Sequence, residues 1–458
     1  MSLDTVLTRI DTNMPEALER LKELLRIASI STDPAYDDDV QRAAQWVADD
    51  LATLGVDAEI RPTTGHPMVV GHVGEGAPHL LYYGHYDVQP VDPLDLWTND
   101  PFDPRIEDTA KGKVIRGRGA NDDKGQMMTF IEACRAWKAV TGKWPCKVTF
   151  LFEGEEECGS PSLIPFLEAN SDELSAPDIA LITDTSRFDA DTPAITTMLR
   201  GLLGEELIIT GPNVDLHSGG YGGPAINPIR VLADIIDALH DDQGRVTVPD
   251  FYDGVPEISD EIMAQWNALG FDDAAFLRDV GLSLPAGEKG RSVLEMLWSR
   301  PTCEVNGIIG GYTGDGFKTV LPSQARAKIS FRLVGTQDPH KIRIAFREMV
   351  RAKLPPDCSI DFKDHGASPA SIMATDDPAF EKARNALSDE WPNPAAFIGS
   401  GGSIPIAGHF KEILNIDTML IGYGLEDDGL HSPNEKYDLR SFHQGARSWA
   451  RVLDALTK

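Results

Sequence analysis

The stretch His79-Leu80-Leu81-Tyr82-Tyr83-Gly84-His85-Tyr86-Asp87 starts as an apolar run and ends in two polar side chains. A short apolar run that stops at a glycine is typical of a buried strand. In α/β sheets, functional groups gather at the carboxyl ends of such strands. The stretch therefore predicts a strand of an α/β sheet, with His85 and Asp87 as candidate site residues.

Strand-like and helix-like segments alternate around this run. Two amphipathic helices are predicted before it, at residues 15–27 and 40–54. A helix-like segment at 126–140 follows it, and strand-like segments come at 147–152 and 179–183. Alternation of this kind indicates an α/β sheet with largely parallel strands.

The pattern changes after about residue 198. Strands and helices are then predicted at 205–210 (strand), 227–239 (helix), 303–309 and 325–334 (strands), 339–354 (helix) and 359–362 (strand). This β-α-β-β-α-β order is that of a ferredoxin-like α+β domain. A structureless insert as long as 241–301 would be unusual, so we expect it to be partly helical, at 257–269.

The length of the chain also indicates more than one domain. One hydrophobic core rarely serves more than about 250–300 residues, and the chain has 458. We expect a first domain of residues 1–198 and 368–458, with the mainly parallel sheet. The ferredoxin-like domain would be inserted into it as residues 199–367.

Composition excludes several classes of partner. The formal net charge of −30 opposes binding to phosphate backbones and anionic membrane surfaces, so we expect neither nucleic acid nor membrane as a partner. No stretch approaches the roughly 18 apolar residues of a membrane span. The five cysteines are scattered, without a Cys-x-x-Cys pair, which favours a reducing cytoplasm over a disulfide framework.

Four further motifs carry acidic or imidazole side chains. They are Asp122-Asp123-Lys124-Gly125, Glu153-Gly154-Glu155-Glu156-Glu157, Thr183-Asp184 and Gly429-Leu430-His431-Ser432. Imidazole nitrogens and carboxylate oxygens suit Zn²⁺, Mn²⁺ or Co²⁺. A glutamate tract can also be a solvated turn, but four carboxyl groups crowded after an apolar strand would repel one another unless cations relieved them. Together the motifs predict a two-metal hydrolase site.

These motifs resemble those of a known family. Nearly the whole chain is similar to the two-metal (co-catalytic zinc) metallopeptidase and deacylase family. That family includes carnosinase-type dipeptidases, aminoacylases, acetylornithine deacetylase and succinyl-diaminopimelate desuccinylase. The similarity runs from residues 84–87 through 117–125 to 431–436. It is greatest to the carnosinase-type dipeptidases, and it implies a catalytic domain with an inserted lid and dimerisation domain.

The resemblance implies a complete set of metal ligands. Asp122 would bridge two metal ions, with His85 and Asp184 completing one site and Glu157 and His431 completing the other. The family implies two divalent ions per subunit, Zn²⁺ in preference to Mn²⁺ or Co²⁺.

The resemblance also assigns the groups around the metals. Glu156 would be the general base that takes a proton from a metal-activated water. Asp87 would accept the other ring proton of His85 and fix its tautomer. The family tends to have a cis peptide bond after the bridging aspartate, here Asp122–Asp123.

Four residues of the later segments match substrate-contacting positions of the family. His217 would reach the active site of a partner subunit in a homodimer and stabilise the oxyanion. Arg332 would bind the substrate carboxylate with its forked guanidinium, and Thr319 and Ser403 would also contact substrate. Taken alone, His217 could be a polar loop residue, Arg332 an exposed charge on a strand, and the other two ordinary turn residues.

The substrate is predicted from residue choices at the site. Within the family, Asp at the third ligand position, here Asp184, favours dipeptidases over deacylases. Ser400 replaces the acidic residue that often precedes Gly-Gly-Ser in dipeptidases, which keeps an N-acyl amino acid open as the substrate. A catalytically silent peptide-binding protein is a remote alternative, because silent relatives usually lack a ligand or the base. The leading hypothesis is a cytoplasmic, homodimeric metallodipeptidase that acts on short peptides with a free C-terminal carboxylate.

Overall fold

The computed structural model describes residues 2–373, 375–402 and 404–458. Two compact units make up the chain. The first contains Met1–Thr197, Met373–Ile398 and His409–Lys458, and the second contains Met198–Ile372 and Gly399–Gly408. The sequence-based boundary put 399–408 in the first domain. This segment instead belongs to the second unit, where the Arg200 amide N–H donates to the Gly402 carbonyl at 3.2 Å.

The strands of the described residues are defined in chain order. They are β1 Asp57–Arg61, β2 Met68–Val73, β3 His79–His85, β4 Arg105–Thr109, β5 Gly112–Arg116, β6 Lys147–Glu153, β7 Ile179–Ile182, β8 Ala194–Leu199, β9 Gly201–Thr210, β10 Leu216–His217, β11 Thr302–Gly310, β12 Val320–Leu321, β13 Gln324–Leu333, β14 Ser359–Ser368, β15 Ser371–Ile372, β16 Ala396–Ser400, β17 Asp417–Leu420 and β18 Lys436–Asp438.

The α-helices follow the same order. They are α1 Leu3–Leu25, α2 Asp37–Thr53, α3 Lys124–Thr141, α4 Leu163–Ala169, α5 Ser171–Leu174, α6 Ser218–Tyr221, α7 Pro228–Asp237, α8 Asp260–Ala268, α9 Asp273–Asp279, α10 Val293–Trp298, α11 Pro339–Ala352, α12 Pro378–Ser388, α13 Pro405–His409 and α14 Leu439–Leu456.

The central sheet of the first unit runs β1-β2-β6-β3-β7-β17-β8. Its middle strands β6, β3, β7 and β17 are parallel, whereas β1, β2 and β8 pair antiparallel at the two sides. Leu80, Leu81, Tyr82 and Tyr83 of β3 are buried, as the apolar run predicts. The predicted α/β fold is confirmed, and its parallel part is the middle of the sheet.

Helix α1 differs from its predicted bounds. It begins at Leu3, so Pro15 lies inside the helix and not in its first turn. Proline inside a helix removes a backbone hydrogen bond and costs about 3 kcal/mol. Val6, Leu7 and Ile10 are buried in the additional turns, and this burial offsets the cost of the proline.

The second unit has a four-stranded antiparallel sheet in the order β11-β13-β9-β14. Helices α7 and α11 pack against it, and Leu203, Leu207 and Phe331 lie in the shared core. This strand order, with the connections β9-α7-β11 and β13-α11-β14, is the predicted ferredoxin-like arrangement. The insert is partly helical, as expected, with α8 at its predicted position and α9 and α10 after it. No helix of the described residues is long and apolar enough to cross a bilayer.

Candidate metal centre

The parallel strands of the first unit end at one edge of the sheet and carry the candidate ligands there. His85 is the last residue of β3, and Asp184 follows β7 by two residues. Glu157 lies in a short 3₁₀ helix that follows β6, and His431 lies in the segment after β17. Because β3, β6, β7 and β17 are parallel, residues far apart in sequence meet at this edge.

Asp122 lies between the imidazoles of two ligand groups. Its Oδ1 is 3.1 Å from His85 Nε2, and its Oδ2 is 3.0 Å from His431 Nε2. His85, Asp122 and Asp184 form the first group, and Asp122, Glu157 and His431 form the second, each with ligand atoms within 4.8 Å of one another. The Asp122–Asp123 peptide bond is cis, as the resemblance implies.

The chemistry of these atoms fits divalent cations. His85 Nε2 is fully buried and has no hydrogen-bond partner among the described residues. It points at the carboxylates of Asp122 and Asp184, 3.1 and 3.8 Å away. A buried polar atom without a partner is costly, and coordination to a cation would satisfy it. Imidazole nitrogen with carboxylate oxygen is the donor set of catalytic zinc and manganese sites.

The electrostatics of the centre also favour cations. Burial, and then the negative charges of Asp184, Glu157 and Asp122, raise the pKa of Glu156 to about 9 despite the nearby His85. Burial and the charges of Asp122 and Asp123 likewise raise the pKa of Asp184. Such crowding is relieved only by bound protons or by positive charge. Two divalent cations would supply that charge.

The surroundings of His431 in the second group also favour positive charge. Hydrogen bonds to Asp122 and Glu157 raise the pKa of His431 to about 10. Burial by itself would raise the pKa of Asp122, but interactions with His431 and His85 lower it below its usual range. The carboxylates around His431 therefore favour positive charge here, which a divalent cation would also supply.

Asp87 supports the centre in a way that differs in part from the expectation. His85 Nδ1 is 3.2 Å from the Asp87 backbone carbonyl oxygen and 3.4 Å from its Oδ1. The carboxylate accepts the backbone N–H groups of Glu156 and Glu157 at 3.3 and 3.0 Å. Asp87 therefore joins His85 to the glutamate tract, in addition to lying beside the imidazole. Gln89, which no sequence motif singles out, donates to Glu157 Oε2 at 2.7 Å.

The tract itself contains glutamates with different surroundings. Glu155 is buried, and its carboxylate accepts the N–H groups of His66 at 2.9 Å and Ser162 at 3.0 Å. Both carboxylate oxygens of Glu155 therefore accept hydrogen bonds from the backbone of its own unit. Glu156 has no such bonds in the described residues and remains partly exposed.

Of the predicted substrate-contacting residues, His217, Thr319 and Arg332 belong to the second unit. The Ser218 amide donates to the Thr319 carbonyl at 3.0 Å, so His217 and Thr319 lie close together. His217 Nδ1 accepts the Gly219 N–H at 2.9 Å, which places the proton of a neutral ring on Nε2. Ser403 lies outside the described residues.

Arg332 has a cationic neighbour. It lies on β13 opposite Leu202 and Thr302, and no carboxylate forms an ion pair with it among the described residues. Burial, and then the charge of Arg332, lower the pKa of Arg200 to about 10. Neither guanidinium forms an ion pair within the described part of the chain, although the charge of Glu304 acts on Arg200, and this pair favours an anion at the sheet.

Comparison with known proteins identifies the family. The chain is 30% identical over 472 residues to a Cys-Gly metallodipeptidase of Schizosaccharomyces pombe, covering 100% of this chain and 98% of that protein. Its structure is similar to human carnosine dipeptidase 1, with a TM-score of 0.79, 27% identity and coverage of 100% and 99%. It is also similar to a metallo-carboxypeptidase of Sulfolobus solfataricus, with a TM-score of 0.82, 29% identity and coverage of 96% and 99%. Because residues 81–455 match the family itself, the chain belongs to peptidase family M20/M25/M40, a family of peptide-bond hydrolases.

Proposed function

We propose that the chain is a metal-dependent dipeptidase that hydrolyses short peptides with a free C-terminal carboxylate. The observation that carries the proposal is the position of Asp122, whose two oxygens lie 3.1 and 3.0 Å from the imidazoles of His85 and His431. One carboxylate thereby belongs to two adjacent ligand groups. The similarity to a Cys-Gly metallodipeptidase and a carnosine dipeptidase supports dipeptides as the substrate class.

We infer that the chain holds two divalent cations, Zn²⁺ in preference to Mn²⁺ or Co²⁺. His85 and Asp184 would hold one, Glu157 and His431 would hold the other, and Asp122 would bind both. Divalent cations supply positive charge that lowers the pKa of a water and polarises the substrate carbonyl. The raised pKa values of Asp184 in the first group and Glu157 in the second support a cation in each group.

Glu156 would act as the general base and then as the acid. Its backbone N–H is fixed by Asp87 Oδ1 at 3.3 Å, while its carboxyl group forms no hydrogen bond to the backbone of the described residues. Glu156 would accept the proton of the attacking water and deliver it to the leaving amine nitrogen. No covalent intermediate with the chain is required.

His217 and Arg332 would recognise the other parts of the substrate. The Nε2–H of His217 is a suitable donor to an oxyanion, because Nδ1 already accepts a backbone N–H. Arg332 has no carboxylate partner in the described chain. Its guanidinium is suited to form two parallel hydrogen bonds to the C-terminal carboxylate of the substrate. Thr319, beside His217, would contact the substrate as well, and Ser403 is proposed for the same role from the family resemblance alone.

The proposed function is tested with a mixed library of free dipeptides, N-acyl amino acids and longer peptides. Enzyme loaded with Zn²⁺ or Mn²⁺ is expected to cleave free dipeptides faster than their acylated counterparts, measured by mass spectrometry. Cleavage confined to acylated substrates would make the protein a deacylase with the same site. Stepwise removal of C-terminal residues from longer peptides would make it a carboxypeptidase, and no cleavage at all would contradict the hydrolase assignment.

Replacing Arg332 tests recognition of the carboxylate. The Arg332→Met variant is expected to lose about 100-fold in kcat/KM on free dipeptides, because a charge-assisted bidentate contact contributes roughly 1.5–3 kcal/mol. On dipeptides with a C-terminal amide, the variant and the original enzyme should differ by no more than about 3-fold. Arg326→Met, on the same strand, is the matched control. An equal loss on both substrate types would remove Arg332 from carboxylate binding.

The second unit offers a surface that fits a second copy of the chain. Strand β11 is at the edge of its sheet, and its Ile308 and Ile309 are each 60% exposed. Ile229 of α7 is also exposed. An unpaired edge strand with apolar side chains is a template for pairing with another strand. These features support a homodimer through the second unit, in which His217 would serve the partner's centre.

Subunit mixing tests the shared site. His217→Ala and Glu156→Gln proteins are each expected to be nearly inactive, because each lacks one essential group. Heterodimers formed by mixing them should recover up to about a quarter to a half of the activity, because one of the two centres in each is complete. Subunit exchange is checked by native mass spectrometry with a mass-labelled partner. Exchange without recovery would place His217 in the centre of its own subunit or outside catalysis.

We infer a cytoplasmic location from the cysteines. Cys134, Cys146 and Cys303 are buried and unpaired, and Cys158 and Cys358 are also free thiols. Free thiols of this number are typical of a reducing compartment.

A further inference from the structure

A buried carboxylate, Glu435, binds the loop that carries Asp122. Its side chain is fully buried. One oxygen accepts the backbone N–H groups of Asn121 at 2.9 Å and Asp122 at 3.2 Å. The other accepts the Gly119 N–H at 2.9 Å and Nη1 of Arg118 at 2.7 Å. Three backbone N–H groups and one guanidinium therefore converge on this side chain, and hydrogen bonds to a carboxylate are stronger than those between neutral groups.

The counter-charge of Glu435 is fixed as well. Arg118 is buried, donates through Nη2 to the Pro90 carbonyl at 3.0 Å and lies over the ring of Trp97 at 5.4 Å. In this ion pair both carboxylate oxygens accept hydrogen bonds, and Arg118 Nε is the buried polar atom without a partner among the described residues. Here the carboxylate uses both oxygens on the loop of Asp122. These hydrogen bonds fix the backbone of Asp122, and its side chain remains free to face the two imidazoles.

A second polar link joins the same two segments. Asn121 Nδ2 donates to Asp428 Oδ2 at 2.8 Å, and Lys436 Nζ donates to Asp428 Oδ1 at 2.6 Å. Asp428 is fully buried. Asp428 and Glu435 therefore flank His431 on both sides in the chain, and both bind the loop that carries Asp122.

His431 is less firmly fixed by its surroundings than His85 is. Its side chain is 56% exposed, and its φ of +58° is in the left-handed region that few non-glycine residues adopt. By contrast, His85 is fully buried at the end of β3. Apart from its contacts with Asp122 and Glu157, the position of His431 therefore depends on the chain on either side of it.

We propose that Glu435 is a positioning residue that, together with Asp428, sets the distance between Asp122 and His431. It thereby controls the affinity of the second ligand group, Asp122, Glu157 and His431, for its cation. The first group depends on it less, because His85 and Asp184 are held by strands β3 and β7. The inference rests on the proposed two-metal function and adds a residue that touches neither metal nor substrate.

The test measures binding of Zn²⁺ alone to the metal-free full-length protein, by competition with a chromophoric chelator. The His431→Ala variant identifies the equivalent that belongs to the second group. Glu435→Gln replaces one hydrogen-bond acceptor by a donor. It is expected to lower the affinity for that equivalent of Zn²⁺ by about 10–100-fold and the affinity for the other by no more than about 3-fold, as for outer partners of metal ligands. Asp428→Asn should lower the affinity for the same equivalent of Zn²⁺. It also keeps the test valid if Glu435→Gln does not fold.

Glu426→Gln is the matched control, since Glu426 is exposed in the same segment. It should leave both equivalents unchanged. The positioning role would be overturned if Glu435→Gln and Asp428→Asn lowered the Zn²⁺ affinity of both equivalents equally. It would also be overturned if neither folded variant lowered the affinity of either equivalent. Binding of a single equivalent by the original protein would overturn the two-metal proposal and this inference with it.

Discussion

Replacing Glu156 by glutamine is expected to lower kcat on a dipeptide by about 10²–10⁴-fold, the usual contribution of a general base. The amide is nearly the same size as the carboxylate, but it cannot accept a proton from water. KM should change little, because Glu156 is not proposed to bind the substrate. Steady-state kinetics on the substrate cleaved fastest in the library would give both constants.

Metal content separates loss of the base from loss of the metals. Glu156→Gln should retain two equivalents of Zn²⁺ by elemental analysis, because Glu156 is in neither ligand group. Removing a carboxylate from this crowded centre also lowers the repulsion, so its folding should be intact. Glu168→Gln, at an exposed position of α4, controls for the loss of one negative charge. Unchanged kcat in Glu156→Gln would exclude Glu156 as the base.

Replacing Asp122 by asparagine is expected to remove both metals and all measurable hydrolysis. Asp122 is the one residue that the two ligand groups share. An amide offers a single neutral oxygen, so it cannot bind two cations as a carboxylate does. We expect the affinity for both equivalents to fall by at least about 100-fold, the upper end of the effect of an outer partner.

The His431→Ala variant distinguishes a bridging role of Asp122 from a role in one ligand group. His431 belongs to the second group alone, so its removal should release one equivalent and leave the other. Asp242→Asn, an exposed residue of the second unit, is the control for the Asp122 change. If Asp122→Asn released only one equivalent, Asp122 would be a ligand of one cation and not a bridge.

The candidate ligands could be listed from the sequence because several of them lie at or after recognisable strands, whereas their division into two groups around Asp122 came from the family resemblance. The apolar run before His85 and the strand before Glu157 are regular enough to be identified from periodicity. Parallel strands in an α/β sheet then require their carboxyl ends to meet at one edge. The convergence of these residues at one edge of the sheet could therefore be predicted, and their roles as metal ligands are proposed from the family resemblance.

The supporting residues were not predictable in the same way. Glu435 was part of a matching motif, yet nothing in its sequence context indicates that it binds the backbone of residues more than 300 positions earlier. The bounds of α1 were also missed, because Pro15 is a local signal for a helix start and burial of the preceding apolar turns overrode it.

The sequence by itself determined the fold class and the identity of the chemical groups, because hydrophobic periodicity and residue type are properties of the local chain. Only the tertiary structure decided how those groups are held. It showed that Asp87 binds the backbone of the glutamate tract, that Glu155 is committed to the backbone while Glu156 is not, and that Glu435 fixes the Asp122 loop. These are hydrogen bonds between segments distant in sequence, and they exist only once the strands have brought those segments together.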